Sequence, residues 1–321
     1  MHKSLGNGVD PAELIRDFGA DIVRLWAASA DYRVDVRCSK EIFKQLSQSY
    51  LKFRNTARYC LGNLDGFDAD HLVAPEEMLE LDRWAVTKLN ALIETGFRAY
   101  ENYEFHVLTH AINDFCVVDL SSFYFDIIKD RLYCGEENSL ERRSAQSAVW
   151  MILDAMTRLF APILAFTCDE VWLAMPHRAG DDARNVLLNQ MVQPYTAYAL
   201  SEEEMGKWAR LAALRTAVNG ALEQARADKT IGKSLEAEVD LTVTAEDAFL
   251  TDMDAADLAD LLIVSQVRVE VGAEQSVAVR PANGAKCLRC WKVLPTVGSD
   301  AGHPDLCPRC AAVVKNLPVI E

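Results

Sequence analysis

The chain has 321 residues, of which 50% are hydrophobic and 25% charged, and a formal net charge of −15. That size supports two or three separate cores, no apolar run reaches the roughly 18–20 residues of a membrane span, and the N-terminus lacks the apolar stretch of a signal peptide. The composition therefore predicts a soluble, cytoplasmic protein without membrane contact. The acidic balance also argues against a generic nucleic-acid binder, whose overall field is positive.

The charge is uneven along the chain. Residues 1–60 carry ten Lys/Arg against seven Asp/Glu, residues 245–275 one against eight, and residues 276–321 six against three. The mildly basic ends are therefore able to meet phosphate, while the acidic middle limits non-specific binding.

In chain order, the turn residues Gly6, Asn7, Gly8, Asp10 and Pro11 open the sequence, and Pro11 predicts a helix through Ala12–Ala28. Ser39 reads as an N-cap. Behind it Phe43, Leu46, Tyr50, Phe53, Ala57 and Cys60 recur at spacings of three and four, which predicts a long amphipathic helix ended by Gly62 and Asn63. Further helices are predicted over Glu80–Tyr103, Phe105–Tyr133 and Ser139–Phe160, with Pro162 as a stop. Thr167 and Glu170 have the spacing of a capping box for a short helix ending near Met175. Long helices with short connections predict an antiparallel bundle.

A Gly/Asp-rich stretch from Ala179 to Gln193, followed by Pro194, marks a boundary. Residues 202–227 read as a helix. Leu235–Thr244 alternates like a strand, Asp247–Asp260 reads as a short acidic helix, and Leu261–Val271 as a second strand. The fold class is thus mainly α: an antiparallel helical bundle, a small α/β subdomain, and a C-terminal four-cysteine zinc ribbon.

Cys287-x2-Cys290 and Cys307-x2-Cys310 are separated by sixteen residues. Each pair sets two thiolates on one tight turn, and the gap allows a hairpin to bring the pairs together. Four soft thiolates in that spacing favour a structural, tetrahedral Zn²⁺. The module is too short to bury much apolar surface, so the metal supplies much of its folding free energy. The other five cysteines (Cys38, Cys60, Cys116, Cys134, Cys168) lie in apolar helical surroundings and read as small buried hydrophobes.

Arg289, Trp291 and Arg309, with Lys286 and Lys292, decorate the module; cations beside an aromatic suit single-stranded RNA. Ile231-Gly232-Lys233-Ser234 has the ending of a P-loop, but the leading position is Ala227, so no phosphate cradle forms. His106 and His110 share a helix face without a third ligand.

Together these features resemble the C-terminal region of bacterial-type isoleucyl-tRNA synthetases, a class Ia family. Met1-His2-Lys3-Ser4 followed by Leu5-Gly6-Asn7 is similar to the family's KMSKS-LGN signature, whose first lysine falls before Met1; His2 stands where the family usually has serine. Phe115–Tyr124, continuing to Lys129-Asp130-Arg131-Leu132, and Ala161–Thr167 resemble helices of the anticodon-binding bundle. Arg226–Ala237 resembles the junction segment of the isoleucine enzyme. The four-cysteine ending separates the chain from the valine and leucine enzymes.

The resemblance implies a KMSKS-like loop and catalytic-domain junction over 1–35, a helical anticodon-binding domain over 36–200, an α/β junction over 201–279 and a zinc module over 280–321. It makes Lys3 a catalytic residue and Met1, His2, Lys3 and Ser4 an ATP-binding loop. ATP and Mg²⁺ belong to the full-length enzyme alone, since the HIGH signature, amino-acid pocket and editing domain are not found here, and the chain by itself is expected to be inactive as an isoleucine–tRNA ligase. The implied partners are isoleucine tRNA and the catalytic domain of the same full-length chain, with the protein a monomer. Arg54 and Arg58, on the first long helix, join Arg289, Trp291 and Arg309 as candidate tRNA contacts. The rival expectation is a zinc-ribbon adaptor that binds protein and no RNA.

Overall fold

The computed structural model describes residues 9–317. These divide into two compact units, one formed by residues 9–126 and 138–200, the other by residues 127–137 and 201–317.

The first unit is helical. Helix α1 (Pro11–Phe18) is capped by Asp10, whose carboxylate accepts from the Ala12 N–H, and α2 (Ala20–Ser29) follows directly. The single helix expected here is broken at Gly19, whose φ of +90° no helix accommodates and few side chains tolerate. Ser39 caps α3 (Lys40–Gly62) as expected. The buried stripe of α3 begins at Phe43, whose ring lies 5.5 Å from Phe18 and 5.6 Å from Trp26. Helices α4 (Glu80–Glu101) and α5 (Phe105–Asp114) follow. The expected helix over 105–133 is real but not uniform: Phe115–Tyr124 winds as a π-helix before α6 (Phe125–Cys134). There Ser121 donates to the carbonyl of Cys116, five residues back, at 2.7 Å, matching the wider turn.

Helix α7 (Leu140–Phe160) is the axis of this unit, and every residue from Ser144 to Thr157 is buried. Its approach to α4 is close enough that a Cβ on Gly96 would sit 2.6 Å from Leu159 Cδ1. Most of the polar groups it buries are paired, as burial demands, the Thr157 hydroxyl being an exception among the described residues. Ser144 and Tyr124 donate to the carboxylate of Asp82 at 2.5 and 2.7 Å, and the Gln146 amide donates to the Asn63 carbonyl at 2.9 Å. Helix α8 (Ala165–Ala174) has no side-chain cap of its own. The capping box expected at Thr167 and Glu170 does not form, because Thr167 lies inside the helix and its N–H and hydroxyl both donate to Asp21, at 2.7 and 2.6 Å. A carboxylate from α2 thus takes over the work of a local cap.

The second unit opens with α9 (Glu202–Ala227), started by a capping box between Ser201 and Glu204. Strand β1 (Ala237–Val243) is central in a three-stranded sheet of order β2-β1-β3, parallel to β2 (Gln266–Val271) and antiparallel to β3 (Ser276–Pro281). The parallel pair requires a crossover, and α10 (Ala255–Leu262) supplies it. The acidic segment therefore splits into a 3-10 turn over Ala245–Asp252 and α10. The strand expected from Leu261 starts only at Gln266, since Leu261 and Leu262 end a helix that closes on Ile263 in the left-handed region. β3 was not anticipated; Val277 and Val279 alternate with the exposed Ser276, Ala278 and Arg280, and Arg280 reaches Glu238 at 2.8 Å. The four-cysteine module carries a two-stranded ribbon, β4 (Ala285–Lys286) with β5 (Val293–Leu294), and then α11 (Pro308–Lys315). Gly284, at φ +122°, lies where a Cβ would meet the Leu294 backbone at 2.2 Å, so only glycine lets the ribbon close.

Candidate metal centre and nucleic-acid interface

The two CxxC turns meet. The four Sγ atoms of Cys287, Cys290, Cys307 and Cys310 all lie within 4.8 Å of one another, and all four residues are buried. Tetrahedral Zn–S bonds of about 2.3 Å set sulfurs about 3.8 Å apart, and Cys290 Sγ stands 3.9 Å from Cys307 Sγ. The turns also prepare the thiolates. The Cys307 N–H points at Cys287 Sγ at 3.4 Å. Burial of Cys287 works against its charge, but backbone N–H groups of Cys290, Cys307 and Arg289 outweigh it and bring the thiol down to about 6. Distances, burial and donor set all fit a thiolate-bound metal.

The remaining cysteines differ. Burial pushes Cys116 up to about 12 and drives Cys60 and Cys168 higher still, which makes them inert core residues. Cys38 is only half-buried and lies in a loop, not a helix. Cys134, buried at the end of α6 as expected of a small hydrophobe, belongs to the same buried cluster as the four paired cysteines. Burial, with Asp130 nearby, keeps its thiol up at about 12, so it packs beside the centre as a neutral group.

That contact is one of several between the module and the segment 127–137, over 150 residues earlier. The Arg289 guanidinium donates to the carbonyls of Cys134 and, at 3.5 Å, Tyr133, the exposed end of α6. It also approaches Cys310 Sγ at 3.9 Å. Arg309 forms a two-pronged pair with Asp130, one prong at 2.8 Å, and Asn316 donates to Glu136 at 3.3 Å. Lys292, largely buried, pairs with Asp260 of α10.

The sequence candidates therefore separate. Arg289 and Arg309 are engaged in holding the end of α6. Trp291 is 56% exposed, held in the left-handed region at φ +65° by its N–H donating to the Cys287 carbonyl at 2.9 Å. Lys233 Nζ sits 5.6 Å from the centre of its ring, a neighbour not visible from the sequence spacing. Arg54 and Arg58 are exposed on α3 and have no side-chain partner among the described residues, as do Lys44 and Lys52 on the same helix. Those two lysines were missed, although Glu41 is the last acidic residue of α3 and the basic run beyond it was legible. Met1, His2, Lys3 and Ser4 lie outside the described residues.

Comparison with known proteins agrees with this geometry. Residues 82–241 match the family model "Anticodon-binding domain of tRNA ligase", residues 284–313 match "Zinc finger found in FPG and IleRS", and residues 1–39 match "tRNA synthetases class I (I, L, M and V)". The chain is 46% identical to the isoleucine–tRNA ligase of Syntrophotalea carbinolica over 328 residues, covering 98% of this chain and 35% of that protein. The enzymes of Desulforamulus reducens and Geobacter sulfurreducens are 47% and 45% identical, each again with 98% of this chain and 35% of the relative covered. The chain thus spans about a third of the length of the curated relatives it matches. Three models of class I tRNA synthetases and their domains thus match along the chain, which over 98% of its length is similar to isoleucine–tRNA ligases.

Proposed function

We propose that this chain recognises isoleucine tRNA as the anticodon-binding part of an isoleucine–tRNA ligase, whose complete form attaches isoleucine to tRNA in the cytoplasm with ATP and Mg²⁺. One observation carries the reading. A helical unit with a basic, partnerless helix face and a closed four-thiolate module with an exposed tryptophan occur in one acidic chain that is related over nearly all its length to such ligases.

The division of labour follows from the chemistry. Lys44, Lys52, Arg54 and Arg58 on α3 meet phosphates, which position the RNA without reading it. Trp291 offers a flat face for an unstacked base, with the Lys233 ammonium against it. Cys287, Cys290, Cys307 and Cys310 hold a zinc ion that cross-links the two turns; with all four positions taken by protein, it has no catalytic vacancy. Through Arg289 and Arg309 the same module is tied to the end of α6. Lys3 is the residue that would stabilise charge during adenylate formation in the complete enzyme. The first test is fluorescence anisotropy with isoleucine tRNA and with a tRNA for an unrelated amino acid. Preferential binding of the isoleucine tRNA supports the reading, and equal, weak binding of both removes it.

A further inference from the structure

Ile231-Gly232-Lys233-Ser234 makes no P-loop, and the structure around it, Arg226–Glu236, shows what the segment builds instead. Helix α9 ends at Ala227, and Lys229 turns the chain in the left-handed region at φ +59°. The N–H groups of Thr230 and Ile231 then bond back to the Ala225 carbonyl at 2.9 and 3.4 Å. Ile231 is buried and pins the loop. The next two N–H groups, of Gly232 and Lys233, donate to the Glu236 carboxylate at 3.0 and 3.1 Å. The loop's backbone donors are therefore already used by its own carboxylate, and no nucleotide cradle remains.

What remains is a cleft of about 440 Å³ lined by Arg226, Lys229, Thr230, Ile231, Gly232 and Glu236. Its charge is one-sided. Glu236 is the only carboxylate in the wall; it is engaged by the two N–H groups and faces Lys286 at 3.8 Å. Nearby Asp228 is held by Gln224 at 3.0 Å, and Glu223 by Arg226 at 2.8 Å. Lys229 has no side-chain partner among the described residues, the Arg226 Nε donor is unmet, and Lys233 reaches from the same loop to the exposed Trp291 ring. In a protein of net charge −15, this recess is lined by cations, and the Thr230 hydroxyl has no partner among the described residues.

We infer that this cleft is a subsite for a backbone phosphate of the bound RNA, with Lys229 as its principal contact and Arg226 and Thr230 beside it. The inference rests on the tRNA-binding reading and deepens it. The phosphodiester anion is compact and fits an open recess that offers side-chain donors and no cradle. Lys233 connects the recess to the Trp291 face, so the phosphate site and the base-stacking face belong to one continuous surface of the second unit.

The test is the affinity of the zinc-loaded chain for an isoleucine tRNA transcript as a function of salt, for the wild type, Lys229→Asn and Lys233→Ala. Asparagine is at ease in the left-handed region, so that substitution removes the charge and spares the turn. Loss of one phosphate contact lowers the slope of log K against log salt by about one and weakens binding several-fold at low salt. Wild-type binding with the usual salt dependence, together with an unchanged slope and affinity in Lys229→Asn, overturns the subsite and leaves tRNA binding standing. Absence of wild-type binding overturns both. Competition with inorganic phosphate separates the two possible anion sources. Displacement of tRNA no greater than by chloride at equal ionic strength is expected for a backbone site. Phosphate-specific displacement that disappears in Lys229→Asn would identify a free-phosphate site and overturn the RNA assignment.

Discussion

Arg309 and Asp130 are 179 residues apart in sequence and share a two-pronged ion pair, with Arg309 Nη2 2.8 Å from Asp130 Oδ1. Burial disfavours the Asp130 charge, and the Arg309 guanidinium outweighs that, holding the carboxyl below its usual value. The pair fastens the metal module to the end of α6 at a point two residues from Cys307 and one from Cys310. Asp130→Asn leaves a partly buried guanidinium facing an amide. Breaking a fully buried pair costs 3–5 kcal/mol, and this more open one should cost about 1–3 kcal/mol. Urea denaturation followed by zinc release to a chromogenic chelator measures it; an unchanged midpoint would mean that the pair is ornamental.

Metal removal should be felt beyond the module. A structural zinc site contributes on the order of 10 kcal/mol to the folding of a small cysteine module. Arg289, Arg309, Asn316 and Cys134 couple that module to the segment 127–137. Hydrogen exchange with and without chelator should show protection lost over 285–315 and over 127–137 together, while α7 keeps its protection. Loss confined to 285–315 would show that the segment is held by other means.

The arginine candidates should fall into two classes. Arg54 and Arg58 are exposed and partnerless among the described residues, so replacing both with Gln should leave the melting temperature within about 1 °C, as surface changes do. The same change should reduce the salt slope of tRNA binding by up to about two. Arg289→Ala should instead lower stability, because the carbonyls of Tyr133 and Cys134 lose their donor. Thermal melts paired with salt titrations distinguish the classes.

His177 gives the first unit a pH dependence. Its ring lies 4.4 Å from Trp172, its buried Nδ1 has no partner among the described residues, and burial lowers its pKa below 6.5. A histidine with a lowered folded value binds its proton more readily when unfolded. Stability is therefore complete above pH 6.5 and declines as pH falls through the interval between 6.5 and the folded value. His177→Phe should flatten that slope in urea titrations between pH 7.5 and 5.5; an identical slope in the variant would assign it elsewhere.

Much of this architecture is legible in the chain. Ser39, the three-four spacing from Phe43 to Cys60, and the paired CxxC turns are local signals, and each acts where it stands. The misses are non-local. The cap of α8 comes from Asp21, 146 residues before Thr167, and no window around Thr167 contains it. β3 is only six residues long, and what makes it a strand is its pairing with β1, far from it in sequence. For the site, four ligands follow from spacing alone. That Arg289 and Arg309 face inward to residues 130–134 follows only from the long-range fold, which also places Cys134 beside the thiolates and Lys233 over Trp291.

The most direct measurement is the binding of the 321-residue chain to isoleucine tRNA transcripts with native and exchanged anticodons, at two salt concentrations, with and without a zinc chelator. Salt-sensitive binding that weakens when the anticodon is exchanged, and again when zinc is withdrawn, is the result expected of an anticodon-reading surface completed by the cysteine module. Binding indifferent to anticodon, salt and chelator would contradict it and leave the module as a docking element for protein.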